Sequence, residues 1–236
     1  WHVGVVVNSF VFAIGDVSME IPHDPSAVDA ESVEASSVRC PDTEASSRMR
    51  DAIDAAKSAG ESLGGVFYVT ATGLVPGVGG YAEATTRFDA RLAAAAVSIP
   101  AIKGVEFGDG FAGAIRPGSE VHDEIEHDGP RGFYRRTNHA GGLEGGMTNG
   151  EPLVMRLAMK PIPTLMKPLR SVDLDTREII DASKERSDVC AVPAAAVVGE
   201  AEVALVLADA YLQKFGCDCV DDIVGALRAY EDRIKL

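Results

Sequence analysis

The sequence predicts a chain of mixed strands and helices, α/β or α+β, with no obvious linker along its 236 residues. Three observations carry this. Runs rich in Val, Ile and Phe open the chain and recur after Gly64 and after Leu153. Two long helical patterns close it, from Ala194 and from Val220. Glycine, proline and acidic clusters separate these runs.

Taken in order, residues 2 to 19 read as a strand broken near Asn8, and residues 20 to 46, rich in Pro, Ser, Asp and Glu, as a surface loop. Ser46 and Ser47 are candidate caps for a helix running to about Ala59 and stopped by Gly60. Met49, Ile53 and Ala56 would share its buried face. GGVFYVTATGL from Gly64 is a strand that opens into Gly73, Gly77, Gly79 and Gly80. Their spacing is not a dinucleotide fingerprint, and turn geometry accounts for them better. Residues 87 to 98 are alanine-rich and read as a helix ended by Pro100. Residues 111 to 150 lack periodicity, and a loop of that length inside a compact domain is usually functional or mobile. LVMRLAMKPI from Leu153 is a strand stopping at Pro161 and Pro163. The run from Ala194 to Phe215, with Val198, Val203, Leu205 and Leu207, is apolar enough to predict a mostly buried helix. Val220 to Ile234 form a final amphipathic helix.

The bulk numbers exclude some functions. A net charge of −14 argues against a nucleic-acid partner, which needs a basic face. It leaves open a small phosphorylated ligand, which needs only a few focused cations. No apolar run is long enough to span a membrane. Cys217 and Cys219 form a C-x-C without a second pair, so no metal is indicated, and reduced thiols in a cytoplasmic protein are the plain reading. Residue 1 is Trp rather than Met, from which we expect that the natural protein begins upstream.

Four segments could carry chemistry. In PAIKGVEFGDGF a short strand lies between Pro100 and glycines, so its backbone amides could approach a ligand closely; a buried strand and turn is the plain alternative. NHAGGLEGGMTNG, Asn138 to Gly150, has five glycines in thirteen residues and could cradle an anion or lie flat against a ring. A flexible surface loop fits its composition equally well. MKPIPTL places Lys160 before a stiff Pro161-Ile162-Pro163 and the hydroxyl of Thr164, a pattern that suits a phosphate group held at small entropic loss. A rigid edge turn with a solvated lysine is the alternative. In ERSDVCAVPAAAVVGEA, Arg186 and Asp188 stand in apolar company before the long helix, where an unpaired charge would be costly. That segment is either catalytic or a structural Arg–Asp cap. HDEIEHD is set aside as a metal site, because its histidines, His122 and His127, are five apart.

Together these segments resemble the chorismate synthase family. Arg186, Ser187, Asp188, Val189 and Cys190, followed by Glu200 and Ala201, are similar to its C-terminal signature; AIKGVEFGDGF, and GGLEGGMTNGEP with MKPIPTL, are similar to two further blocks in the same order. The resemblance implies an α+β chain, a β-α-β sandwich left incomplete, with residues 1 to 236 the C-terminal portion of a single domain. It implies a homotetrameric, cytoplasmic lyase that eliminates phosphate from 5-enolpyruvylshikimate 3-phosphate in an anti-1,4 sense to give chorismate. It also implies reduced FMN as cofactor, which lends an electron and recovers it, with NADP or a separate flavin reductase as the source of reduction. Carried over by motif, Pro100 and Ala101 would touch FMN through the backbone, and Gly145 would lie against it. Lys160, Pro161, Ile162, Pro163 and Thr164 would hold it. Arg186 would contact flavin and substrate, and Asp188 would be the base, a partly buried carboxylate assisting flavin N5. The family's two histidine motifs and its substrate-gripping arginines are not found in this sequence. From that we expect the 236 residues alone to be inactive, with a non-catalytic unit that folds, oligomerises and binds FMN weakly as the alternative.

Overall fold

A computed structural model describes residues 2–129, 132–184, 188–216 and 218–234. Arg186, one of the sequence-predicted site residues, lies outside the described residues.

The strands and helices follow one another as β1 (Val6–Ile14), β2 (Val17–Ser18), α1 (Ala30–Glu34), α2 (Thr43–Ala59), β3 (Gly65–Thr72), α3 (Phe88–Ser98), β4 (Ile102–Phe107), α4 (Gly110–Gly113), β5 (Ile125–Asp128), β6 (Gly132–Arg135), β7 (Leu143–Glu144), β8 (Met147–Thr148), β9 (Leu153–Met159), β10 (Arg170–Val172), β11 (Ile179–Asp181), α5 (Val192–Phe215) and α6 (Val220–Ile234). Five strands form one antiparallel sheet in the order β2-β1-β3-β9-β4, and the other six pair as three two-stranded hairpins. The α+β expectation holds.

Alternation along the strands divides the sheet into two faces. Val11, Phe67, Val69, Met155 and Leu157 point to one face and join the main core, against which α5 and α3 pack. Phe10, Tyr68 and Val154 point to the other, where they meet Val33 of α1 and the partly buried Phe12 and Val28. One cross-strand row runs the width of that second face: Phe10 opposite Tyr68, Tyr68 opposite Arg156, Arg156 opposite Glu106. Phe10 and Tyr68 stack at 5.0 Å, and Arg156 donates to Glu106 at 2.6 Å.

Several expectations are corrected. The first strand is not broken near Asn8, which sits in the ladder opposite Thr70; the chain turns at Gly15, with φ +58°. Residues 20 to 46 are not all loop, since α1 lies within them. The cap of α2 is Asp42, whose carboxylate accepts from Ala45 N–H at 2.8 Å. Ser46 lies inside the helix, its hydroxyl 2.8 Å from that of Ser36. Met49 and Ala56 are buried there as the spacing predicts. Residues 111 to 150 are not structureless, because α4 ends there and two hairpins form. Helix α5 begins at Val192 and buries only one side. Val203 and Leu207 are in the core, but Val198 is 44% and Leu205 65% exposed. The sheet covers one face of the helix and α3 and α6 a flank, which leaves an apolar outer surface uncovered. A cavity of about 500 Å³ lined by Val3, Val5, Val7, Val197, Ala204 and Tyr211 runs beside it.

Candidate functional site

One end of the sheet gathers three of the four segments. β3 begins there at Gly65, opposite Met159 where β9 ends, and Met159 is also opposite Ile102 where β4 begins. The residue after β9, Lys160, donates its N–H to Ala101 O at 2.9 Å. Pro100 and Ala101 form the middle of a turn closed by Ile102 N–H on Ile99 O at 3.2 Å. Ala101 occupies its third position with φ +70°, the left-handed region of a type II turn, where glycine is the usual residue.

The Lys160–Thr164 turn is held from the other side by Ser62, whose hydroxyl donates to Ile162 O at 2.6 Å. Gly64 lies so close that a Cβ there would come 2.3 Å from Met159 O and 2.8 Å from Pro161 N. Next to it, Leu63 N–H donates to Val189 O at 2.8 Å, so the Asp188–Cys190 segment runs beside Leu63. Lys160, Pro161, Pro163 and Asp188 are exposed, whereas Thr164 is half-buried. The Thr164 Oγ1 is itself buried and has no hydrogen-bond partner among the described residues. Asp188 is therefore not the partly buried carboxylate expected from its apolar neighbours. Asp188 is exposed and Val189, Cys190 and Ala191 are half-buried, and the helix core starts at Val192.

Gly145 is placed elsewhere. Gly145 and Gly146, with φ +59° and +87°, make the two-residue turn of the β7–β8 hairpin, a backbone that two glycines adopt without strain. Gly146 O accepts from Phe88 N–H at 2.8 Å, at the start of α3, while Pro100 lies just beyond its end. Gly145 thus sits at the opposite end of the sheet, on the order of 20 Å from Lys160 for a seven-residue strand. It is exposed, and a Cβ added to it would meet nothing within 4 Å.

The glycine segment is not the free-amide loop that its composition suggested. Asp123 accepts from the His139 and Ala140 amides at 2.8 and 2.9 Å and from the Thr137 hydroxyl at 2.6 Å. Burial works to raise the Asp123 pKa, but those three donors outweigh it and hold the carboxyl below the usual range. Asn138 Oδ1 accepts from Gly142 N–H, and Thr148 accepts from Val78 N–H while donating to Val75 O. Arg135 pairs with Glu144 through two bonds of 3.0 and 2.7 Å, which lowers the Glu144 pKa and raises that of Arg135. Sequence reading missed Asp123, Arg135 and Glu144 because their partners lie 9 to 17 residues away, and no local spacing marks them.

A family model described as chorismate synthase matches residues 1–212. The chain belongs to the chorismate synthase family. It is 54% identical over 233 residues to a chorismate synthase of Rubrobacter xylanophilus, and the match covers 99% of this chain and 59% of that protein. A chorismate synthase of Desulforudis audaxviator is 50% identical over 234 residues, covering 99% and 60%. A crystal structure of chorismate synthase superposes with a TM-score of 0.83 at 41% identity, covering 98% of this chain and 64% of that one. The chain thus spans about three-fifths of the length of the curated chorismate synthases it matches. No helix among the described residues is long and apolar enough to cross a membrane.

The residues present fit a flavin mononucleotide. Lys160 offers an exposed cation, Thr164 a buried hydroxyl without a partner among the described residues, and the Ile99–Ile102 turn a fixed peptide edge.

Proposed function

We propose that this chain works as part of a chorismate synthase, eliminating phosphate from 5-enolpyruvylshikimate 3-phosphate to give chorismate with reduced FMN. What supports the reading most is one arrangement inside a chain of this family: Ala101 O bonded to Lys160 N–H, with the Asp188 segment tied to Leu63, whose neighbour Gly64 packs on the Lys160 turn. When bound, reduced FMN would supply the electron density that helps the carbon–oxygen bond to break.

The chain's own residues have separable tasks. Lys160 would hold the phosphate of the cofactor by charge, with the Pro161-Ile162-Pro163 backbone keeping it in place. Thr164 would give the same group a hydroxyl. Pro100 and Ala101 would position the ring system through backbone atoms, and Arg186 would contact cofactor and substrate. Asp188 would take the ring proton onto its carboxylate. The two ends of the sheet are too far apart for one ligand to touch both Lys160 and Gly145 of a single copy. We therefore place Gly145 against the cofactor of a neighbouring copy in a homotetramer, acting in the cytoplasm and supplied with reduced flavin by itself or by a separate reductase.

Three measurements test this. Asp188→Ala, in a protein carrying the family's full length, should lose most of kcat and keep FMN binding; unchanged turnover would remove the base. Lys160→Ala should raise the FMN dissociation constant more than it slows turnover at saturating cofactor. Mixing Lys160→Ala with Gly145→Asn subunits should restore part of the FMN binding that each lacks, and no recovery would count against a shared site. The chain spans only part of its relatives' length, so we also expect the 236 residues alone to make no chorismate. Turnover by the purified chain would refute that.

A further inference from the structure

Along its outer edge β1 pairs with β2 only at Ala13 and Ile14, and Phe12 O accepts from Met19 N–H at 3.1 Å, which leaves the edge from Val6 to Val11 without a strand beside it among the described residues. One residue closes it. Arg39 O accepts from Val11 N–H at 2.8 Å, and the Arg39 guanidinium donates to Ser9 O at 3.2 Å. Arg39 therefore stands where a neighbouring strand would, and blocks the edge against pairing with another chain. It does so with φ +57°, a left-handed backbone that an arginine adopts only under restraint from its surroundings.

The same guanidinium reaches α5. Arg39 Nη2 donates to Glu200 Oε1 at 2.8 Å, and the Ser9 hydroxyl donates to that oxygen at 2.6 Å. Nη1 pairs with Glu34 of α1. The Arg39 side chain is only 13% exposed, and its Nε is buried without a partner among the described residues. The helix can come this near because residue 199 is glycine: a Cβ there would lie 3.0 Å from both Phe67 Cε2 and Val69 Cγ2. Glu200 thus fastens α5 to the rim of β1 beside the tight packing at Gly199. Arg39 is largely buried and Glu200 28% exposed, and a charge pair held there adds little net stability but tolerates few geometries, which restrains where the helix sits along its axis and how it is turned.

That position is passed on. Glu200 lies eight residues after Val192, about 12 Å along the helix. Before Val192 the chain is tied to Leu63 through Val189 O, and the next residue, Gly64, packs on the Lys160 turn. We infer that Glu200, gripped by Arg39 and Ser9, is a positioning residue that sets the place of Asp188 beside the Lys160 turn. The role assigned to Asp188 rests on the function proposed above, but the mechanical coupling does not.

The test is amide hydrogen exchange of Glu200→Ala, Glu200→Gln and Ser9→Ala in this chain, at a temperature where each is folded. Glu200→Ala should speed exchange of the Leu63 amide, which donates to Val189 O, about tenfold, and speed alkylation of the half-buried Cys190. Glu200→Gln should restore most of the protection, since an amide oxygen still accepts from Ser9 and Arg39. Ser9→Ala, which removes one donor and leaves the charge pair, should fall between. Faster exchange confined to Val11 and Arg39, with Leu63 and Cys190 as in the parent, would overturn the inference and leave the pair a local strut. No exchange change in any variant would overturn it too. A failure of Asp188→Ala to lose turnover would instead strike the base assignment, and the Leu63 result would still decide the coupling.

Discussion

Replacing Ala101 by glycine tests the claim that the Ile99–Ile102 turn is strained where it faces the site. Ala101 has φ +70°, and its carbonyl is held by Lys160 N–H at 2.9 Å, so the turn cannot relax without losing that bond. A left-handed backbone costs a non-glycine residue about 1–2 kcal/mol. Glycine removes that cost, and its freer unfolded chain returns about 0.4–1 kcal/mol of it. Ala101→Gly should therefore stabilise the chain by about 0.5–1 kcal/mol, and raise Tm by about 1–4 °C for a protein of this size. Urea unfolding gives the free energy and calorimetry the midpoint. The same change should weaken FMN severalfold, because a glycine peptide is less fixed before binding. A destabilised Ala101→Gly would refute the strain argument. Unchanged FMN affinity would refute the link between strain and cofactor.

Further outcomes follow from single groups. Thr164→Val keeps the shape and removes a buried hydroxyl that has no partner among the described residues, so it should leave stability unchanged or improve it by about 1 kcal/mol while weakening FMN; a loss above about 1 kcal/mol would mean the hydroxyl is already used. The Asp123 carboxyl is held low in the folded chain, so it adds stability that is complete above its unfolded pKa of about 3.9 and is lost as pH falls through the folded value. Asp123→Asn should flatten that acid limb in a stability-versus-pH curve, and an unaltered limb would show that the His139 and Ala140 amides do not need its charge. Burial raises the thiol pKa of Cys40, so iodoacetamide should label the exposed Cys219 first by a wide margin; equal rates by peptide mass spectrometry would contradict the burial of Cys40 in the core.

Much of the fold was legible because the signals are local. Apolar, β-branched and aromatic runs over residues 66–71 and 153–157 mark strands, and Met49 and Ala56 mark the inner side of α2, since each pattern needs only the neighbours along the chain. Errors fall where a distant partner decides. Asn8 looked like a breaker until Thr70 paired with it, and Ser46 looked like a cap until Ser36 took its hydroxyl. Leu205 looked buried because nothing local reveals that the sheet covers one side of α5 only.

The sequence by itself determined the family, through several blocks in a fixed order, and with it the candidate residues Ala101, Lys160, Thr164 and Asp188. Only the tertiary structure decided that those four lie at one end of the sheet and Gly145 at the other. It alone joined Arg39 to Glu200 across 161 residues. The physical reason is that motifs record which side chains are present, whereas distance between segments is set by strand register and helix packing, which no single segment contains.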